Sequence, residues 1–106
     1  MNVERIKFER TGGFAGIRFA ADFEPGELPV EQSRELLDLL DDLDFDELPE
    51  KLTGKTPVPD GFTYSITVET KKGRHTVVTG ESSAPEKMQE LLQLLNRIAR
   101  NQMRKQ

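Results

Sequence analysis

An unbroken alternation of apolar and polar residues runs from Phe62 to Glu69 and has Phe62, Tyr64, Ile66 and Val68 as its apolar members. A period of two places successive side chains on opposite faces of a strand, so this segment predicts a strand with one buried face. Lys71-Lys72-Gly73 follows as a turn, and His75-Thr-Val-Val-Thr79 follows the turn as a second strand. The segment 62–79 therefore predicts an antiparallel hairpin.

A second pair of alternating segments stands near the N-terminus. Ile6 and Phe8 alternate with charged residues, and Ile17, Phe19, Ala21 and Phe23 repeat the pattern after a glycine-rich interval. The interval Thr11–Gly16 holds three glycines, which supply backbone dihedrals that other residues rarely adopt. We expect a second hairpin here, with a loop longer than the minimum.

Two segments have the period of a helix that is apolar on one side. The first helix is predicted over about residues 29–43, with Pro29 in its first turn and a stripe of Leu36, Leu37, Leu40 and Leu43. The second helix opens at the capping box Ser83-Ala-Pro-Glu86 and carries Met88, Leu91, Leu92, Leu95, Ile98 and Ala99 on its apolar side. Beyond about Asn101 the tail is expected to fray.

The predicted order of elements is ββαββα. Two hairpins and two one-sided helices predict an α+β fold of two layers, with a four-stranded antiparallel sheet covered by both helices on one face. Residues 48–61 hold three prolines and two glycines in fourteen residues, a composition that favours an irregular crossing loop. The 106 residues fit one domain, 1–106, in which the pattern leaves the strand order open.

Composition limits the classes of function. The chain has no cysteine, which excludes thiolate metal sites and cysteine nucleophiles. Residues 1–53 hold 14 acids and 6 bases, whereas residues 54–106 hold 5 acids and 9 bases. The net charge of the whole chain is −4, which disfavours a nucleic-acid partner. No apolar leader or membrane span is recognised, so a cytoplasmic protein without membrane contact is expected.

Few residues have the spacing of a catalytic or metal site. His75 is the only histidine, and a surface or structural role is favoured for it over catalysis. The series Asp42, Asp44, Asp46 imitates the start of a calcium loop but lacks the glycine and glutamate that such a loop needs. The glycines of 12–16 match no phosphate-binding loop. The sequence therefore predicts a protein that is not an enzyme and holds no metal or cofactor.

Phe14 is the best candidate in the chain for a binding anchor, because a large apolar side chain lies between glycines at a predicted hairpin tip. Two placements stay open from the residues alone. The loop presents Phe14 to a partner, or it folds back so that Phe14 covers one end of the core.

The segment Phe8-Glu-Arg-Thr-Gly-Gly-Phe-Ala-Gly-Ile-Arg18 resembles the opening signature of the emfourin family. Further segments are similar to that family in order and spacing: Leu48-Pro49, Tyr64–Glu69, Arg74–Val78 and Ala84-Pro85. The acidic stretch 38–47 and the basic tail depart from the pattern. The resemblance implies a bacterial protein inhibitor of protealysin and related thermolysin-like M4 zinc metalloproteases, a monomer when free that binds its target protease.

The resemblance implies the kind of cleft that is blocked, and the mode of inhibition is our hypothesis. A thermolysin-like cleft holds a catalytic zinc and an apolar pocket, and we expect the hairpin loop to enter it with Phe14 in that pocket. The expected protease contacts are Thr11, Gly12, Gly13, Phe14, Ala15, Gly16 and Arg18. Residues Met1–Val3 and the proline-rich loop 55–61 are the next candidates for the cleft.

Two other classes of function stay open. A regulatory module could bind a different, acidic protein through the open face of the sheet, with Arg5, Lys7, Arg18 and Glu69 as contacts. A small hydrolase that depends on His75 is the weaker alternative.

Overall fold

The computed structural model describes residues 3–12, 19–52, 62–80 and 86–104. Within these ranges the strands are β1 (Val3–Gly12), β2 (Phe19–Phe23), β3 (Lys51–Leu52), β4 (Phe62–Thr70) and β5 (Gly73–Gly80). The α-helices are α1 (Val30–Asp42) and α2 (Glu86–Arg104), and single 3-10 turns lie at Pro25–Glu27 and Phe45–Glu47. Helix α2 thus extends past Asn101, where the sequence predicts fraying to begin.

The strands form one sheet in the order β2-β1-β4-β5-β3. Strands β1 and β2, β1 and β4, and β4 and β5 pair antiparallel, so the predicted four-stranded antiparallel sheet and its two hairpins are confirmed. The sheet gains β3, which pairs parallel to β5 with Lys51 opposite Val78. Among the described residues of the predicted crossing loop, Lys51 and Leu52 form this strand. The carbonyl of Glu50 just before it accepts a hydrogen bond from the amide of Val78 at 2.7 Å.

One face of the sheet carries the core. Ile6 lies opposite both Phe23 and Val68, and Phe8 lies opposite Ala21 and Ile66, so the apolar members of each alternation meet on one side. From the helices the core takes Leu36, Leu39, Leu40, Met88, Leu91, Leu92, Leu94, Leu95, Ile98 and Ala99. The predicted stripe of α2 is confirmed.

The predicted stripe of α1 needs a correction at two of its four positions. Leu36 and Leu40 are fully buried as predicted, and Leu39 is buried with them. Leu37 and Leu43 are only half-buried and pack against the margin of the core. Relative to the predicted stripe, the buried side of α1 is therefore rotated slightly toward Leu39. Tertiary packing decides this rotation, and the spacing of the leucines leaves it open.

The other face of the sheet carries short and charged side chains. The hydroxyls of Thr67 and Thr76 lie 2.9 Å apart across β4 and β5, and the ammonium of Lys7 lies 3.8 Å from the carboxylate of Glu69. The guanidinium of Arg5 bonds the Asp22 carboxylate, whose hydrogen bond and negative charge raise the pKa of Arg5. The charges of this face are thus largely compensated by one another.

The turn between β4 and β5 requires its glycine. Gly73 has a φ of 140°, a conformation that residues with a Cβ rarely adopt. The hydroxyl of Thr70 accepts a hydrogen bond from the amide of Lys72 at 3.2 Å and donates one to the carbonyl of Gly73 at 3.3 Å. These bonds close the hairpin at the predicted turn Lys71-Lys72-Gly73.

Candidate functional site

The predicted inhibitory loop begins where β1 ends. Thr11 is exposed and lies opposite Thr63 of β4, and Gly12 lies opposite Phe62. The remaining predicted contacts, Gly13, Phe14, Ala15, Gly16 and Arg18, fall outside the described residues. Their connection joins β1 to β2, which are antiparallel neighbours up to the pair formed by Arg10 and Phe19.

Three connections of the chain meet the sheet at the same end, which we call the hairpin end. Residues 13–18 leave it from Gly12 and return at Phe19, and residues 53–61 leave it after β3 and return at Phe62. Residues 81–85 leave it from Gly80, which lies opposite Thr63. The described residues that flank the two predicted loop candidates, 11–18 and 55–61, therefore lie at one end of the sheet.

Val3, the described residue of the third candidate for the cleft, lies elsewhere. Val3 is paired with Thr70 at the opposite end of β1, and Met1 and Asn2 are outside the described residues. A strand rises about 3.3 Å per residue, so the two ends of β1 are separated by about 30 Å. The structure thus separates Val3 from the loop candidates.

Arg10 contacts the side chains of three other described residues at the hairpin end. Its guanidinium carbon lies 4.4 Å from the ring centre of Phe19 and 4.5 Å from that of Phe62. The two rings come from β2 and β4, the strands on either side of β1. The Nη1 of Arg10 donates a hydrogen bond to the Oδ1 of Asn96 in α2 at 3.2 Å. We call Arg10, Phe19, Phe62 and Asn96 the Arg10 clamp.

The clamp is partly buried and continues into the core. Within the described part of the chain the Nε of Arg10 is buried without a hydrogen-bond partner, which is costly for a polar group. The ring of Tyr64 lies 6.5 Å from Phe62 and 6.0 Å from Phe8, and it connects the clamp to the core aromatic residues. The contacts of the Arg10 guanidinium with the two rings offset part of the cost of burying Nε, because cation–π contacts strengthen when they are shielded from water.

Arg10 was not among the predicted site residues, although a signal for it is present in the sequence. Ile6, Phe8 and Arg10 occupy alternate positions of β1, so Arg10 lies on the side of the sheet that faces the helices. A charged residue in an apolar position of an alternating strand needs a buried partner. This out-of-place charge could have identified the clamp before the structure did.

His75 lies away from the hairpin end and has a structural environment. Its Nε2 donates to the carbonyl of Leu48 at 2.7 Å, since a carbonyl oxygen only accepts, and the edge of its ring faces Phe45. His75 also borders a surface hollow of about 690 Å³ whose charged lining is Asp41, Asp44, Asp46, Lys71, Lys72 and Arg74. The lining also includes Thr70, whose hydroxyl is engaged in hydrogen bonds with the backbone of Lys72 and Gly73.

The acidic stretch after α1 is arranged as a turn around an aromatic residue. Asp44 has a φ of 48°, Phe45 is fully buried, and Asp46 points to solvent. Over the described ranges no three histidine or acidic side chains are grouped so that they could hold a metal ion. Nor does any helix in those ranges have the length and apolar character needed to cross a membrane.

Comparisons with known proteins point to one family. A search of the solved structures finds Emfourin (M4in) from Serratia proteamaculans, described as an M4 family peptidase inhibitor, at 20% sequence identity. The match covers 89% of this chain and 87% of that one, with a TM-score of 0.45. A search of the curated proteins finds no match. The family profile of Emfourin matches residues 8–96. This range holds the glycine-rich signature, all of the hairpin end and most of both helices. Because the profile matches most of its length, the chain belongs to the Emfourin family.

Proposed function

We propose that this protein is an inhibitor of an M4, protealysin-type zinc metalloprotease and that it blocks the active-site cleft with the hairpin loop 11–18. Membership of the Emfourin family, through the match over residues 8–96, supports the class of function. The Serratia protein of the same family name is described as an inhibitor of M4 peptidases. The inhibitor contributes no metal, and the zinc belongs to the protease.

The observation that carries the proposed mode of action is the pairing of the strand that leads into the loop. The strands β1 and β4 pair without interruption from Arg5 to Gly12, so the strand that leads into the loop is held along its length. A loop that is held by a rigid sheet loses less conformational freedom on binding than a free peptide does. In the proposed complex Phe14 fills the apolar pocket of the cleft and the glycines allow the backbone to approach the enzyme closely.

The expected strength of such a complex follows from general interface energetics. A standard interface buries about 1,600 Å² and supports nanomolar affinity, about −12 kcal/mol, where the binding loop is already ordered. Most of this free energy comes from a few buried anchors, so Phe14 is expected to contribute more than its neighbours.

The open-face alternative is weaker in the light of the structure. Two of its proposed contacts, Lys7 and Glu69, lie 3.8 Å apart and compensate each other, while Arg5 is engaged by Asp22 and Glu24. A face whose charges are paired internally attracts an acidic partner only weakly. The cytoplasmic location and the monomeric state of the free protein stay predictions.

The experiment is a titration of the purified protein into a thermolysin-like protease from the same genome, with cleavage of a short peptide substrate as the readout. Loss of activity that reaches completion near one inhibitor per enzyme would support the proposal. A serine protease that cleaves the same peptide serves as the specificity control. Full cleavage by the metalloprotease, with the added protein intact and folded, would favour the regulatory module.

A further inference from the structure

One arginine contacts the element that follows each of the three connections at the hairpin end. Phe19 is the first residue after 13–18, Phe62 is the first residue after 53–61, and Asn96 lies on the helix that follows 81–85. The Arg10 guanidinium stacks on both rings and donates to the amide oxygen of Asn96. We propose that Arg10 is a positioning residue, which fixes the hairpin end of the sheet and thereby holds the inhibitory loop in its binding geometry.

The chemistry of the clamp fits arginine better than other residues. A planar guanidinium presents two faces to aromatic rings and keeps its N–H groups in the plane for hydrogen bonds. The guanidinium carbon lies over the rings of both Phe19 and Phe62, and the amide oxygen of Asn96 accepts from Nη1. A lysine ammonium keeps the charge but lacks the plane, and a methionine keeps only the apolar stem.

A role in stability alone does not explain the clamp well. The buried Nε without a partner adds a desolvation cost, and an apolar side chain at this position of β1 would avoid it. The benefit of arginine is geometric, because one rigid group fixes the distance between the first residues of β2 and β4. Positions with this kind of local cost are expected where the arrangement of a binding site depends on them.

The inference rests on the proposed function for its inhibition readout, and a second readout on the free protein stands apart from it. The variants are Arg10→Met, Arg10→Lys and Asn96→Ala. Their matched controls are Arg34→Met on α1 and Gln93→Ala on α2, two exposed positions. Inhibition constants are measured on the M4 metalloprotease, and circular dichroism verifies that each variant is folded at the assay temperature.

We expect Arg10→Met to raise the inhibition constant at least about tenfold, Arg10→Lys to raise it less and Asn96→Ala to raise it about threefold. The reason is that an anchor binds tightly only when the loop that carries it is ordered before binding. The controls keep the wild-type constant. A double variant, Arg10→Met with Phe14→Ala, should lose little more than Phe14→Ala alone, since two residues that act through one loop are not additive. Full additivity in the folded double variant would overturn the proposal.

The second readout is amide hydrogen exchange in the free protein. In Arg10→Met we expect the exchange rates of the Thr11 and Thr63 amides to rise at least about fivefold relative to those of Ile66 and Val77 in the middle of the sheet. Loss of the clamp should allow the hairpin end to open locally. A uniform rise over all four amides would indicate a role in global stability alone and would overturn the proposal. If wild-type protein inhibits no M4 protease, the proposed function fails, and the exchange pattern still decides the role of Arg10.

Discussion

The imidazole of His75 and the backbone carbonyl of Leu48 are joined by a hydrogen bond of 2.7 Å that connects β5 to the segment leading into β3. The ring edge of His75 faces Phe45 at a centroid distance of 5.8 Å, so the histidine also packs on the turn after α1. A single side chain thus ties the outer part of the sheet to the acidic stretch.

Replacement of His75 by alanine is expected to affect stability and leave inhibition intact. The lost hydrogen bond leaves the carbonyl of Leu48 without this donor, and the expected cost is about 1–2 kcal/mol in the free energy of unfolding. Urea denaturation measures the cost, and His75→Gln, which retains a donor, should recover part of it. Peptide turnover by the wild-type protein that His75→Ala abolishes would instead revive the hydrolase alternative.

Phe45→Ala is expected to be among the most destabilising single changes in the described part of the chain. The side chain is fully buried in a 3-10 turn, and truncation of a buried phenylalanine costs about 3–5 kcal/mol. The neighbouring Asp46→Ala is the matched control, because Asp46 is exposed and its loss should change stability by less than about 0.5 kcal/mol. Equal denaturation midpoints for the two variants would contradict the described position of Phe45.

Phe14→Ala tests the proposed anchor. Removal of a side chain that fills a pocket of the protease should cost at least about 2 kcal/mol in binding, which raises the inhibition constant about 30-fold. The melting temperature of the free protein should stay close to that of wild type if the side chain is presented to the partner. An unchanged inhibition constant in a folded variant would remove Phe14 from the site, and a large fall in stability would place it in the core.

Deletion of Met1 and Asn2 should leave inhibition unchanged. Val3 pairs with Thr70 at the end of the sheet opposite the loop, about 30 Å from Gly12 by the rise of a strand. A single interface of standard size centred on the loop does not need those residues. The inhibition constant of the shortened protein should lie within about threefold of the wild-type value, less than the loss of one hot-spot contact. A larger loss would move the cleft contact to the N-terminus.

Local periodicity predicted most of the fold. The strands of both hairpins follow from apolar side chains two residues apart, and the apolar side of α2 follows from side chains three to four residues apart. Both spacings lie within one element, so the local sequence is enough to predict them. The strand order, the parallel pairing of Lys51 with Val78 and the burial of Leu39 depend on residues far apart in the chain. No pattern within a segment records such partners.

The candidate site was predictable to a smaller extent. The glycines around Phe14 predicted a hairpin connection, and β1 and β2 are paired as that connection requires. The charge of Arg10 at an apolar position was a usable signal, but its partners Phe19, Phe62 and Asn96 were hidden because they lie on three different elements. Phe45 was hidden because its acidic neighbours are typical of a solvated segment, although the aromatic residue itself belongs to the core.

The central pairing of β1 with β4 also governs how the protein comes to be folded. Its partners are distant in the chain, from Gly12 and Phe62 at one end to Val3 and Thr70 at the other. Contacts of this range carry a loop-closure cost and slow folding, and an isolated two-stranded hairpin is only marginally stable in water. During synthesis the N-terminal strands therefore wait for β4, and the chain gains its structure late and as a unit.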